Sequence, residues 1–377
     1  MSQNDSNHHR SLFSDLNKGF RSIWSAIVEE WREFKSEWND SDQWNAAVRK
    51  ETAAIADFYL GPEQREQLKK MKPVRRNLYR AGWVLTAMFE KLSHGRRIIL
   101  IMGGLFILMS RQDNSFDIVG GIFLLLVIML ELKDKLLAHD ELEEGRHIQE
   151  MLMPERTPAV NGWSVWLYTR SANEVCGDLI DCIRMENGRF GLAIADVAGK
   201  GLHAALLTTK LQATIRAFAF DQRSLPDFIG RVNTIFHRDS PSHLFASLFY
   251  IDCDEASGRV SYVNAGHLPA MVMKNGSIRE TEKGDLALGL TRTAPYVEHT
   301  IDLDTGDLFL LFSDGLTEAK NERGEFFGKE RLMQILRSET GPSEQIGMSI
   351  LRDIDRFTGT QKLSDDLSLI ILKRTDR

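Results

Sequence analysis

The apolar residues change their period part-way along the chain, and this change constrains the fold more than any other feature. Up to Pro154 they recur at helical spacing, whereas from about residue 161 they alternate with a period of two, which is typical of strands. Strand-like segments lie at residues 163–168, 189–195, 246–251, 260–263, 308–312 and 367–372. Helical spacing returns at residues 202–218, 226–236, 329–338 and 343–357. We therefore expect an α+β C-terminal domain, a two-sheet sandwich with helices outside, preceded by an all-α region.

Length, charge and cysteine content narrow the class of protein. A chain of 377 residues has room for two or three domains. The net charge of -6 and the lack of basic runs exclude a general nucleic-acid-binding protein. The three cysteines form no CxxC pair, so neither a zinc site nor a disulfide scaffold is indicated, and a reducing compartment fits best. The polar N-terminus has no apolar signal-peptide core, so no cleavable leader is expected.

Residues 1–95 form the predicted helical N-terminal region, which begins with a polar segment that we expect to be disordered. The apolar residues between Phe20 and Trp31 follow helical spacing. Pro62 and Pro73 predict breaks between helices. No catalytic constellation occurs in this region, which suggests a scaffold or a sensor.

Residues 96–132 contain two uncharged apolar runs, 98–109 and 118–130, separated by a polar loop. Each run is shorter than the roughly 20 residues of a membrane-spanning helix, but flanking residues lengthen both. Basic residues stand on the outer sides of the pair, at Arg96, Arg97, Lys133 and Lys135. This positive-inside pattern predicts a transmembrane hairpin in the cytoplasmic membrane, with both ends and the C-terminal domain in the cytoplasm. The alternative is a buried helical hairpin in a soluble domain.

Residues 133–156 form the predicted linker helix, which is charged and amphipathic and ends near Pro154. Its predicted apolar face consists of Ala138, Leu142, Gly145, Ile148 and Leu152. Two interpretations stay open. The helix lies on the catalytic domain, or it forms a short parallel coiled coil that joins two protomers into a homodimer.

Four acidic segments occupy the C-terminal half, at residues 174–181, 194–201, 311–315 and 364–369. Three of them place an aspartate at the edge of an apolar strand. Carboxylates at such positions cost stability unless a positive group neutralises them. No histidine or cysteine accompanies them as a partner, so a hard divalent cation such as Mg2+ or Mn2+ is indicated. The pattern predicts metal-assisted hydrolysis.

The segment 194–201 has the clearest geometry of the four. A strand delivers Asp196, a turn containing Gly199 and Gly201 follows, and a helix begins near Leu202. Asp196 can therefore project into a cleft, and the neighbouring backbone carbonyl can also face a metal. A phosphate-binding loop is not supported, because glycine rather than serine or threonine follows Lys200 and the required spacing is absent.

The span from about residue 142 to the C-terminus resembles the bacterial metal-dependent PPM serine/threonine phosphatases. The nearest branch is the sporulation-stage-II-E and sigma-factor-regulator type. The motifs that carry the resemblance are, in order, IQEMLMP at 148–154, EVCGDLID at 174–181, DVAGKGLHAA at 196–205, NAGHLP at 264–269, SDGLTE at 313–318 and DDLS at 365–368. The resemblance implies a PPM-type β-sandwich flanked by helices over residues 157–377.

The resemblance also implies a set of metal-binding positions. They are Asp178, Asp196, Asp314 and Asp365, with the carbonyl of Val197. Two Mn2+ or Mg2+ ions would share Asp196, and the chemistry would centre on Asp178 and Asp196. A metal-activated water would attack phosphoserine or phosphothreonine on a regulatory protein, which the resemblance suggests is a STAS-type anti-sigma-factor antagonist.

Two residues allow more than one interpretation. Cys176 stands where the family commonly has glycine, and is either an inert small residue or a crowding, oxidant-sensitive one. His267 either fixes a turn or acts as a general acid.

A competing function for the whole domain is a non-catalytic module that binds a phosphorylated partner. For the enzyme, we hypothesise that changes in the linker helix shift segment 202–218 and so alter metal occupancy.

Overall fold

A computed structural model describes residues 59–109, 114–185, 188–220, 224–241 and 243–376. The expected disordered segment and the helical spacing between Phe20 and Trp31 lie outside these ranges. The chain divides into two compact units, Met1–Leu132 and Lys133–Arg377.

The described part of the first unit is helical. Its helices are α1 (Pro62–Lys69), α2 (Pro73–Lys91), α3 (His94–Met109) and α4 (Asn114–Leu152), the last of which continues into the second unit. The predicted breaks are confirmed, because proline is the first residue of both α1 and α2, where its missing N–H costs no helical hydrogen bond. Helix α4 contains both the apolar run 118–130 and most of the predicted linker helix 133–156. One continuous helix therefore takes the place of two predicted segments.

Small residues let α3 and α4 approach closely as a helical hairpin. A Cβ atom on Gly120 would lie 2.8 Å from the carbonyl oxygen of Gly103, so a larger residue would push the helices apart. Phe106 and Phe123 stack with their ring centroids 5.8 Å apart.

The prediction that residues 96–132 cross a membrane is wrong, and so is the placement at the cytoplasmic membrane that rested on it. Within the described residues, no helix combines the length and the apolar character of a membrane span. Helix α3 has 16 residues, fewer than the roughly 20 that a span needs. In α4, Asp117 and Glu131 bound the uncharged stretch 118–130, which at ~1.5 Å per residue falls short of the ~30 Å hydrocarbon core.

The second unit contains two antiparallel sheets of five strands each. The strands are β1 (Trp163–Arg170), β2 (Asp178–Arg184), β3 (Arg189–Val197), β4 (Ala246–Asp254), β5 (Arg259–Ala265), β6 (Met271–Lys274), β7 (Ser277–Glu280), β8 (His299–Asp302), β9 (Leu308–Phe312) and β10 (Leu367–Arg374). The first sheet has the order β1-β10-β9-β6-β7 and the second β2-β3-β4-β5-β8. The helices are α5 (Leu202–Ala219), α6 (Leu225–Asp239), α7 (Asp314–Thr317), α8 (Gly328–Ser338) and α9 (Ser343–Thr358).

Three apolar layers hold this unit together. Side chains from both sheets, such as Leu192, Phe249 and Ile370, form the layer between the sheets. Helices α5 and α6 cover the outer face of the second sheet, and α8 and α9 cover that of the first. The predicted α+β sandwich with helices outside is therefore confirmed. Strands β2, β6, β7 and β8 were not predicted.

The buried face of the linker half of α4 differs from the predicted one. Gln149 is 8% exposed, whereas Ile148 is 55% exposed. Leu142, Gly145 and Leu152 are partly buried, and with Gln149 they follow a 3-4-3 spacing. A polar residue thus occupies the buried position because it makes the hydrogen bonds described below, which apolar periodicity cannot reveal.

Candidate metal centre

Strand register places the first two predicted ligands side by side. In the β2–β3 pair Asp178 is directly opposite Asp196, so both side chains point to the same face of the sheet. On the other side of β3, Asp196 is opposite Ser247 of β4. The next residue, Val197, ends β3, and its carbonyl oxygen lies 4.0 Å from where a Cβ on Gly177 would be. That carbonyl therefore faces the loop that leads into Asp178.

The other two predicted ligands come from the first sheet. Asp314 follows the end of β9, and Asp365 precedes the start of β10, its antiparallel neighbour. The Ser313 hydroxyl donates to the Asp366 carbonyl at 3.0 Å and accepts from the Ser368 N–H at 2.9 Å. A Cβ on Gly315 would lie 2.0 Å from the Asp366 carbonyl oxygen, so the two strand ends can meet only with glycine there. The four predicted aspartates therefore gather at one end of the sandwich.

Burial and neighbouring carboxylates raise the pKa values of three of these aspartates, Asp178, Asp196 and Asp314. Burial raises the pKa of Asp178 well above its usual range, and the charge of Asp196 adds to the effect. The pKa of Asp196 rises to about 6, first through burial and then through the charges of Asp314 and Asp365. Burial and Asp365 also raise the pKa of Asp314. The physical cause is the same in each case, because the ionised forms repel one another and are poorly solvated.

The donor set fits a hard divalent cation in charge and atom type. Asp178 is 3% exposed, and its Oδ2 atom has no hydrogen-bond partner among the described residues. A buried carboxylate oxygen without a donor needs a proton or a cation. Across the described ranges, however, no three acidic, histidine or cysteine side chains converge in the arrangement of a formed metal site.

Lys200 is the residue of this region whose role the sequence did not reveal. Its ammonium lies 3.0 Å from Asp365 Oδ2 and donates to the Ser364 carbonyl at 2.9 Å. It stands between Gly199 and Gly201, whose φ angles of +116° and +73° favour glycine. The cation is therefore held at the acidic end of the sandwich, where it lowers the pKa of Asp196.

The two adjacent aspartates before β10 have different environments. The Asp366 carboxylate is buried and accepts hydrogen bonds from the backbone N–H groups of Ala172 and Gly177 and from the Ser171 hydroxyl. It therefore fixes the loop that leads into β2. The carboxylate of Asp365 is only partly buried and faces Lys200.

A second layer of contacts connects α4 and α5 to the loop before Asp178. Gln149 accepts from the Cys176 N–H and donates to the Cys176 carbonyl, both at 3.0 Å. The Thr208 hydroxyl of α5 donates to the Gly177 carbonyl at 2.6 Å. Gln212 and Arg216 of α5 each donate to the carbonyl of Leu152 at 3.1 Å. The end of the linker helix thus contacts both the loop before Asp178 and α5, the helix that follows Asp196.

Cys176 is 5% exposed, and burial raises the pKa of its thiol. Since the thiolate is the reactive form, these observations favour the inert interpretation.

His267 fixes a turn through its main chain. Its N–H donates to Asn264 Oδ1 at 2.8 Å, and its carbonyl accepts from Asn264 Nδ2 at 3.1 Å. Burial lowers the pKa of its imidazole to about 4, and Nδ1 lies 2.7 Å from the Ser247 hydroxyl. The buried, neutral ring favours the turn-fixing interpretation over the general acid.

Several known proteins are similar to the C-terminal part of this chain. A family model described as Stage II sporulation protein E (SpoIIE) matches residues 186–375, half of the chain. Phosphoserine phosphatase RsbU of Bacillus subtilis is 26% identical over 243 residues, which cover 62% of this chain and 70% of RsbU. Protein IcfG of Synechocystis is 24% identical over 302 residues, which cover 73% of this chain but only 46% of that protein. The chain therefore spans about half the length of one curated relative and about two thirds of the other.

Two solved structures share the fold of the C-terminal part. The SiaA-PP2C domain of Pseudomonas aeruginosa aligns with a TM-score of 0.55 at 20% identity, over 64% of this chain and 99% of that domain. A Mycobacterium tuberculosis structure containing RsbU and RsbW domains aligns with a TM-score of 0.50 at 25% identity, over 58% of this chain and 61% of that one.

Proposed function

Because the chain belongs to the SpoIIE family of bacterial PPM phosphatases, we propose that it is a metal-dependent protein serine/threonine phosphatase. The observation that carries the proposal is the gathering of Asp178, Asp196, Asp314 and Asp365 at one end of the sandwich, where burial and neighbouring carboxylates raise the pKa values of the first three. Carboxylates arranged in this way favour a bound cation over a purely structural role.

The proposed ligands are these four carboxylates and the Val197 carbonyl, and they would hold two Mn2+ or Mg2+ ions. When bound, such ions lower the pKa of a water molecule and neutralise charge on a phosphoryl group. The chain's own residues position the ligands. Asp366 holds the loop before Asp178, and Ser313 ties the end of β9, next to Asp314, to the start of β10.

The proposed substrate is phosphoserine or phosphothreonine on a regulatory protein, with a STAS-type anti-sigma-factor antagonist as the first candidate. Two similarities support this choice. RsbU is named a phosphoserine phosphatase, and the Mycobacterium structure contains both an RsbU and an RsbW domain.

The linker half of α4 is the proposed input to the site. A shift of this helix would move Gln149, which holds the loop of Asp178, and Leu152, which binds α5. Both contacts support the hypothesis that the helix controls metal occupancy. A homodimer through residues 133–156 stays a proposal, supported by the exposed apolar side chains of Leu137, Ile148 and Met151.

The test is hydrolysis of p-nitrophenyl phosphate by the full-length chain with Mn2+. We expect metal-dependent turnover that falls by at least about a hundredfold in Asp196→Asn and Asp314→Asn. Asp302→Asn is the matched control, because this exposed aspartate pairs with Arg259 on β5, outside the carboxylate cluster. Equal turnover in all four proteins would contradict the proposal, and folded wild-type protein without turnover would favour the non-catalytic binding module.

A further inference from the structure

Lys200 combines three properties that the proposed function does not use. Its ammonium contacts Asp365 Oδ2 at 3.0 Å, yet the Lys200 side chain is 58% exposed. Its neighbours Gly199 and Gly201 have no side chains that could restrain the lysine. A Cβ atom added to Gly199 would come no closer than 3.8 Å to a neighbouring side chain, that of Leu244. The lysine stem rotates freely about four carbons. The contact with Asp365 is therefore an exposed ion pair that can exchange its partner.

The charges around Lys200 favour such an exchange. The charge of Lys200 lowers the pKa of Asp196. The neighbouring charges that act on the pKa values of Asp178 and Asp314 are carboxylates, which raise them. While the carboxylates lack metal, its charge is attracted to them. A divalent cation held by the Asp365 carboxylate would repel the ammonium. Lys200 and the metal therefore compete for Asp365.

The charge balance of the loaded site gives the displaced ammonium a new partner. The formal charges of four carboxylates and two divalent cations cancel. A phosphate dianion that enters the site is then attracted more strongly if a further cation lies at its edge, and ammonium–phosphate hydrogen bonds are among the strong ones. Lys200 lies at that edge, because its partner Asp365 is a proposed ligand.

We propose that Lys200 changes partners during the working cycle: it holds Asp365 while the site lacks metal, and it binds the phosphate of the substrate once metal has displaced it. This inference rests on the proposed function. It assigns to Lys200 both a competing role toward the metal and a direct role toward the phosphate.

Isothermal titration calorimetry on the full-length chain tests both roles. We expect Lys200→Gln to bind Mn2+ about three- to tenfold more tightly, because the competing charge is gone. In Mn2+-saturated protein, we expect the same variant to bind inorganic phosphate about tenfold more weakly. Lys200→Arg keeps the charge and should lie close to wild type in both titrations.

Lys210→Gln is the matched control, because Lys210 lies on α5 and pairs with Asp239 rather than with a proposed ligand. It should leave both affinities unchanged. If Lys200→Gln leaves either affinity at the wild-type value, the exchange is overturned while the phosphatase proposal stands. If wild-type protein binds no Mn2+, the proposed function fails and this inference fails with it.

Discussion

Strand β2 carries two buried carboxylates, three residues apart, in opposite environments. Asp181 is 0% exposed and receives two hydrogen bonds from the guanidinium of Arg216, at 2.7 and 2.8 Å, and one from the Cys182 N–H at 2.9 Å. Asp178 is 3% exposed, but among the described residues its Oδ2 has no donor, and its cross-strand neighbour is another carboxylate. Within the described residues, one of these two buried carboxylates therefore contacts a counter-ion and the other does not.

The difference separates a stabilising group, Asp181, from a proposed metal-binding group, Asp178. Removing one partner of a buried ion pair leaves an uncompensated charge and is strongly destabilising. Removing a charge that has no partner relieves repulsion and desolvation instead. Substitutions at the two positions should therefore act on stability with opposite sign in the metal-free protein.

The largest effect is expected for Arg216→Ala. It leaves Asp181 buried without its counter-ion, and we expect the free energy of unfolding to fall by about 3 kcal/mol. Urea denaturation of the metal-free protein measures this loss. Arg238→Ala, which breaks an exposed pair with Asp239, is the control and should cost much less stability. Equal losses in the two variants would remove the distinction drawn for Asp181.

Asp178→Asn should change stability in the opposite direction. In the metal-free protein at pH 7, we expect the free energy of unfolding to rise by about 2 kcal/mol, because a buried, repelled charge is removed. In excess Mn2+ the order should reverse, since only the wild type keeps the ligand. A variant that is less stable than wild type after chelation would show that Asp178 is compensated by a group of the fold itself.

The pH dependence gives a smaller effect with a defined window. The pKa of Asp196 is raised to about 6, so between pH 4 and 6 the folded state binds more protons than the unfolded state. Stability from this group therefore falls as pH rises through that window. We expect Asp196→Asn to match wild type near pH 4 and to be about 1 kcal/mol more stable at pH 7, a value reduced for the partial exposure of Asp196. Thermal melts in a chelating buffer measure the difference, which should not vary with pH if the carboxylate is unperturbed.

The smallest effect concerns the hydroxyl of Ser368. Its hydrogen bond lowers the pKa of Asp178 and so partly opposes burial. Ser368→Ala should therefore weaken Mn2+ binding about threefold at pH 6.5 and less at pH 8, where the proton competes less. Calorimetry at both pH values makes the comparison. A loss of the same size at both would mean that the hydroxyl acts on packing and not on the proton.

The sequence predicted the long strands because their apolar runs are uninterrupted, as in β9 at 308–312. Strand β2 was missed because Asp178, a proposed ligand, and Asp181, which pairs with Arg216, interrupt the alternation of apolar residues. The short strands β6, β7 and β8 have only four residues each, too few to establish a period.

The candidate site was predictable in its residues but not in its contacts. The four aspartates stand in motifs that a local pattern shows, whereas the Lys200–Asp365 pair joins residues 165 positions apart. The motif at 365–368 begins with two adjacent aspartates. Only Asp366 accepts hydrogen bonds from the backbone N–H groups of Ala172 and Gly177, in the loop before β2, and this tertiary contact distinguishes it from Asp365. Gln149 was hidden because a polar residue at a buried helix position departs from apolar periodicity. Contacts of this kind depend on tertiary packing.

The division of the ligands between the two sheets has a consequence for folding kinetics. Asp178 and Asp196 meet within the local pair β2–β3, whereas Asp314 follows β9 and Asp365 precedes β10, two strands of the other sheet. A chain in which only one sheet has formed contains two of the four proposed ligands. Contacts between distant segments form late in folding. Cation binding would then follow the transition state for folding instead of helping to create it. Mn2+ should accordingly slow unfolding and leave the folding rate almost unchanged.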